Sequence, residues 1–219
     1  MTANEDVAKY RKEHNRIIAE TVAGALDARN FEVFVCDSFD EARETALSLM
    51  PEGSTVGWGG SASIDQIGLV DAVRSGKYTP IDRTAAKTPE ERDEIVRRIF
   101  SADFFLTSFN AVSLAGNVFN VDGMGNRVAA ITFGPRSVIA IVGTNKICHS
   151  DESARERILG TAAEINAIRF GKADTLFTDD DVTDDIPSED RICNFIEEIA
   201  WCRPKGRIKI ILVTEDLGF

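Results

Sequence analysis

Val138-Ile139-Ala140-Ile141-Val142, leading directly into Gly143-Thr144-Asn145-Lys146, decides the fold. Five consecutive apolar residues leave a strand no polar face to turn to water, so both faces need a cover. Runs of strand formers recur at Phe31 to Cys36, Ser54 to Trp58, Asp103 to Thr107 and Arg207 to Val213. Helical patterns lie between them. Residues 4–29 carry Val7, Tyr10, Ile17, Ile18, Val22 and Leu26 at helical spacing, which predicts a long opening helix. Ser38, with Glu41 three residues on, has capping-box spacing for a helix to Met50. Thr88-Pro89 starts a helix to Phe100, because proline is tolerated at the first helical position. A helical segment ending at Arg74 follows Gly59-Gly60-Ser61, and residues 151–170 and 189–201 read as two further helices. Ala111 to Leu114 and Val118 to Val121, around Ala115-Gly116-Asn117, suit a tight hairpin. Doubly covered strands alternating with helices predict an α/β fold, a three-layer sandwich with a largely parallel sheet. The connections are too short for a second core. The expectation is one domain over residues 1–219, with a helical extension at 1–30 and an acidic loop at 174–190.

The formal net charge of −11 comes from 36 acidic and 25 basic side chains. Residues 174–190 hold eight acidic residues and no basic one, so the rest of the chain is close to neutral. Nucleic-acid binding draws its affinity from basic faces that neutralise phosphates, so no nucleic-acid partner is expected. The opening stretch is polar and lacks the apolar core of a secretory signal. No run reaches the ~18 apolar residues that read as a membrane span. A cytoplasmic protein with no membrane partner is therefore expected. Cys36, Cys148, Cys193 and Cys202 are scattered without metal-ligand spacing, so neither disulfides nor a metal site is expected.

Three loops carry candidate chemistry. Gly57, Gly59, Gly60 and Ser61 link a strand to a helix, where main-chain N–H groups and the helix dipole favour an anion. The stretch from Asn110 to Arg127 gathers Asp122, Gly123, Gly125 and Asn126, and its guanidinium suits a carboxylate or phosphate. Asn145 and Lys146 follow the buried strand, at the sheet edge where open α/β proteins bind ligands. The first loop is neither a G-x-G-x-x-G turn nor a P-loop, so no nucleotide-type cofactor is expected. Cys148-His149 does not suit a nucleophile–base pair, since adjacent strand residues face opposite ways. The acidic run lacks the glycine and terminal glutamate of a calcium loop.

GWGGSAS (57–63), the block TSFNAVSLAGNVFNVDGMGNRVAAITFGP (107–135), VIAIVGTNKI (138–147), AEINAIRF (163–170), SEDRIC (188–193) and ILVTEDLGF (211–219) together resemble the LUD family. That family comprises the domain of bacterial lactate utilisation proteins. The resemblance implies a fold like that of the ribose-5-phosphate isomerase, CoA-transferase and 5-formyltetrahydrofolate cyclo-ligase superfamily. It also implies a ligand site lined by the GWGGS, DGMGN and NK loops, and a role in L-lactate oxidation beside iron–sulfur partner subunits. Where many relatives have several cysteines before the RIC motif, this chain has the acidic run, leaving Cys193; where they often have glutamate, it has Asp65. Two functions follow as expectations. One is a non-redox subunit or accessory protein binding a small anionic metabolite at the glycine-rich rim. The other is an isomerase or acyl-transfer enzyme acting on a sugar phosphate or CoA thioester. It would use Asp65 or Asp122 as general base and Lys146 or Arg127 to stabilise charge.

Overall fold

The structure, a computed structural model, describes residues 3–172 and 191–219. The predicted acidic loop lies outside the described residues. In chain order the elements are α1 (Ala3–Asp27), β1 (Glu32–Cys36), α2 (Phe39–Ser48), β2 (Thr55–Trp58), α3 (Ala62–Gln66), α4 (Leu69–Arg74) and β3 (Thr79–Ile81). There follow α5 (Pro89–Ile99), β4 (Phe104–Thr107), β5 (Ala111–Ser113), β6 (Val118–Asp122), α6 (Asn126–Thr132) and β7 (Ser137–Gly143). The last are β8 (Ile147–Cys148), α7 (Asp151–Leu159), α8 (Thr161–Arg169), β9 (Phe195–Ile199) and β10 (Ile208–Val213).

Six strands form one parallel sheet in the order β1-β10-β7-β4-β2-β3. The deciding stretch is its centre. Val138, Ala140 and Val142 of β7 face a core built with Ala19, Val22 and Leu26 of α1, Ile99 of α5 and Ile131 of α6. Ile139 and Ile141 face the opposite core, with Ala42 and Ala46 of α2, Ile64 of α3 and Val70 of α4. Alternate side chains thus enter separate cores, which makes the three layers. Each fully buried Val or Ile contributes about 1.5–3 kcal/mol, so the helices are held to the sheet mainly by these alternating contacts.

A second sheet, β8-β5-β6-β9, is smaller. The predicted hairpin is present as antiparallel β5 and β6, and α7 covers it through Ala154 and Ile158 against Phe119. The capping predictions also match. Ser38 Oγ accepts the Glu41 N–H at 3.2 Å, and Thr88 Oγ1 accepts the Glu91 N–H at 3.2 Å. The Glu41 carboxylate returns its bond to the Asp37 N–H, one residue before the cap.

Three expectations are corrected. Residues 189–201, read as a helix, contain strand β9 instead. It pairs antiparallel with β6, and this non-local ladder seats Glu197 opposite Asn120. Residues 151–170 are two helices. Gly160, at φ −94° and ψ −110°, breaks the run, and a Cβ there would sit 2.9 Å from the Glu156 carbonyl oxygen. The segment ending at Arg74 is likewise split, at Gly68, whose φ of 68° is readily adopted only by glycine.

Candidate functional site

β7, β4 and β2 are neighbours, and all three run parallel. The loops leaving their carboxyl ends therefore emerge side by side. They bring Gly60 to Ser63, Ser108 to Asn110 and Lys146 into the lining of a cavity of about 510 Å³. The loop and first turn around α6 and the inward side of α8 also line it. The sheet edge predicted from the sequence is where the cavity lies.

Lys146 is the buried cation of the lining. A turn of 3₁₀ helix over Thr144–Lys146 ends β7 and directs the side chain inward, where it is 3% exposed. Its Nζ lies 2.9 Å from Ser63 Oγ and 3.0 Å from Ser108 Oγ. Among the described residues no carboxylate pairs with it. Burial, with a smaller contribution from Arg157 and Arg127, pushes its pKa down to about 7. Asn145, expected to touch ligand, does something else. Its amide accepts the Leu217 N–H at 3.0 Å and donates to the Gly218 carbonyl at 3.2 Å, pinning the final residues across Lys146. Gly218 has φ 62°, and a Cβ there would collide with Ser63 Oγ and Lys146 Nζ.

Arg127 lines the cavity, but its five donors are all engaged. Nε bonds Asp122, one terminal nitrogen bonds the Ser108 carbonyl and Asn120, and the other bonds Asn110 and the Val121 carbonyl. It can offer an anion its charge but no free N–H. Asp122 also accepts the Arg127 and Val128 main-chain N–H groups at 2.8 and 3.0 Å, so it caps α6. Behind this cluster Glu197 accepts from Asn120 at 3.0 Å and from the Thr132 hydroxyl, and burial raises its carboxyl above the usual range.

The other predicted residues divide. Gly60, Ser61, Gly123 and Asn126 line the cavity. Ser61 Oγ is buried there without a hydrogen-bond partner among the described residues. Gly57 and Gly59 do not line it. A Cβ on Gly57 would lie 2.8 Å from Ile99, so that glycine serves packing, whereas one on Gly59 would meet Arg127 Cδ at an ordinary 3.4 Å. Gly125, at φ 75°, lets the chain turn into α6 beneath the Phe195 ring. Asp65 is exposed on α3 and lies outside the lining; burial of its carboxyl raises its pKa, against Arg74 and Arg169. The helix after the glycines, α3, has five residues, too short for the dipole argument to carry an anion site. The positive field comes from side chains instead.

Those side chains were not picked out from the sequence. Arg83, Arg92 and Arg169 line the cavity, and none forms an ion pair among the described residues. Burial, with smaller contributions from the neighbouring Arg92 and Arg169, pulls Arg83 below the ordinary guanidinium value, against Asp122 and Asp82. Arg169 lies over the Phe170 and Phe219 rings, at 4.6 and 5.6 Å. It belongs to the quoted AEINAIRF block, which was a usable signal; Arg83 had none. Asp122 is the one carboxylate residue of the lining among the described residues. No group of three His, Cys, Asp or Glu among them could hold a metal ion.

Residues 19–213 match the LUD domain. The chain belongs to the LUD-domain family. A DUF162 family protein from Deinococcus radiodurans shares the fold of this LUD domain. It is 13% identical, the match covers 91% of this chain and 98% of that one, and the TM-score is 0.50. At that identity the likeness speaks for the fold alone. No curated protein matches the chain. No helix among the described residues is long and apolar enough to cross a membrane.

Proposed function

We propose that this LUD domain binds a small anionic metabolite in the Lys146 cavity, as a non-redox subunit or accessory protein of the cytoplasm. One observation carries the reading. Arg83, Arg92 and Arg169, which form no ion pair among the described residues, line a cavity that also holds a buried lysine. Like charges gathered this way destabilise the empty protein, and an anion offsets that cost. Ser61 Oγ, buried and unpartnered, adds a hydroxyl for such a guest. The family name refers to lactate utilisation, which supports L-lactate and pyruvate as first candidates and iron–sulfur subunits as neighbours. Isothermal titration with lactate, pyruvate, sugar phosphates and CoA thioesters tests the reading. Saturable binding that Arg169→Gln weakens supports it, and silence across the whole panel removes it. The isomerase or acyl-transfer alternative is weaker, because Asp65 lies outside the cavity and Asp122 is held by three N–H donors.

A further inference from the structure

The environment of Lys146 Nζ defines which of its protons have somewhere to go. Ser63 Oγ donates to the Leu217 carbonyl at 3.5 Å, and Ser108 Oγ donates to the Phe109 carbonyl at 3.2 Å. Both hydroxyls therefore turn lone pairs toward Nζ, which must donate to each. A neutral primary amine has two N–H bonds, and two acceptors are present. Its lone pair is then left without a donor among the described residues, on a side chain that lines the cavity.

We propose that Lys146 is a covalent attachment point, its amine condensing with the carbonyl carbon of a small compound that also carries a carboxylate or phosphate. The proposal rests on the anion-binding reading and names the chemical class of its ligand. The lone pair attacks the carbonyl carbon, a C–N bond forms, and one nitrogen proton passes to the former carbonyl oxygen. Loss of that hydroxyl with the second nitrogen proton releases one water and leaves the C=N bond. No oxidant, reductant or metal is needed.

Three features support this chemistry. The pKa of about 7 leaves a large neutral fraction at neutral pH, where an ordinary lysine has almost none. Arg83 and Arg169, without ion-pair partners among the described residues, supply the positive charge that holds the anionic end. Asn145 fixes Leu217 and Gly218 across the amine, so Ser63, Ser108 and the chain end hold Nζ in one place.

The test is reductive trapping. The whole protein is incubated separately with pyruvate, dihydroxyacetone phosphate and acetone in the presence of cyanoborohydride, then digested and mapped by mass spectrometry. The expected result is a reduced adduct on Lys146 with at least one anionic probe. It should form at concentrations about tenfold or more below those acetone requires, the effect of one charge-assisted hydrogen bond. Which of the two labels separates a 2-oxo acid from a phosphorylated ketone. Lys146→Arg, with its fold checked by circular dichroism, should lose the adduct. Labelling confined to other lysines, or equal labelling by acetone, overturns the proposal. Pyruvate or dihydroxyacetone phosphate that binds by calorimetry yet leaves Lys146 unmodified also overturns it, while the binding reading stands. Absence of both heat and adduct removes the two together.

Discussion

Arg127 and Asp122 form a closed pair, with Nε 3.0 Å from Oδ1 and each side chain only 12% exposed. The remaining guanidinium protons bond to Ser108, Asn110, Asn120 and Val121, so this one side chain joins the β4–β5 loop, β6 and the head of α6. Truncation would leave a buried carboxylate and several carbonyls unpaired. Arg127→Ala should cost about 3–5 kcal/mol in urea unfolding. Arg127→Lys should recover only part of that, because an ammonium has three donors and no planar fork. Full recovery by lysine would show that charge alone matters here.

Lys146 predicts a dependence of stability on pH. Its folded pKa is about 7 against an ordinary 10.5. Below pH 7 both states carry the proton and the burial cost is complete; between 7 and 10.5 the cost fades as the unfolded chain loses its extra proton. The shift corresponds to a cost on the order of 4–5 kcal/mol at pH 6. Lys146→Met should therefore be more stable than the natural protein at pH 6, with the difference shrinking toward pH 10. Chemical denaturation at both values measures it, and a difference unchanged by pH would contradict the assignment.

An anion that is held in the cavity without condensing with the amine favours the ammonium form of Lys146. Binding near pH 8 should then take up a proton. Titrations in two buffers of different ionisation enthalpy will show it, since the apparent heat must change with the buffer. Affinity should also fall as pH rises above the lysine's value of about 7. For a ligand that leaves no adduct on Lys146, buffer-independent heat would mean that it sits away from Nζ.

Gly218→Ala tests the strap across Lys146. The position has φ 62°, and an added methyl meets Ser63 Oγ and Lys146 Nζ. The backbone conformation alone costs an L-residue about 1–2 kcal/mol. A chain of this size loses about 2–4 °C in Tm per kcal/mol. A fall of that order or larger is expected in calorimetry, with trapping at Lys146 reduced in parallel. An unchanged Tm would mean that the last residues do not hold the strap.

The sheet was legible because β7 is apolar on both faces, and no helical or half-exposed reading accommodates residues 138–142. β9 was not, because what makes Phe195–Ile199 a strand is the open edge of β6, far earlier in the chain. The break at Gly160 was missed for a related reason. A single glycine inside a helical pattern is compatible with continuation, and only packing reveals the turn. At the site, the position of Lys146 after the central strand pointed to the right edge. Its burial did not show, since Ser63 of α3 and Ser108 of the loop after β4 lie 83 and 38 residues away. For Arg127 the sequence shows a guanidinium beside a glycine-rich loop but not its five acceptors, which come together only after folding.

The adjacency of β7, β4 and β2 has one more consequence. These strands lie inside the six-stranded sheet, where amide protons escape mainly through global unfolding. A guest seated at their ends would close the same opening that exposes the whole sheet. Bound ligand should therefore slow deuterium uptake at Ile139, Ile141 and Leu106 as well as at the cavity wall, by a factor that tracks its concentration over Kd. Slowing confined to the loops would place the guest on the surface of the protein rather than in its keystone.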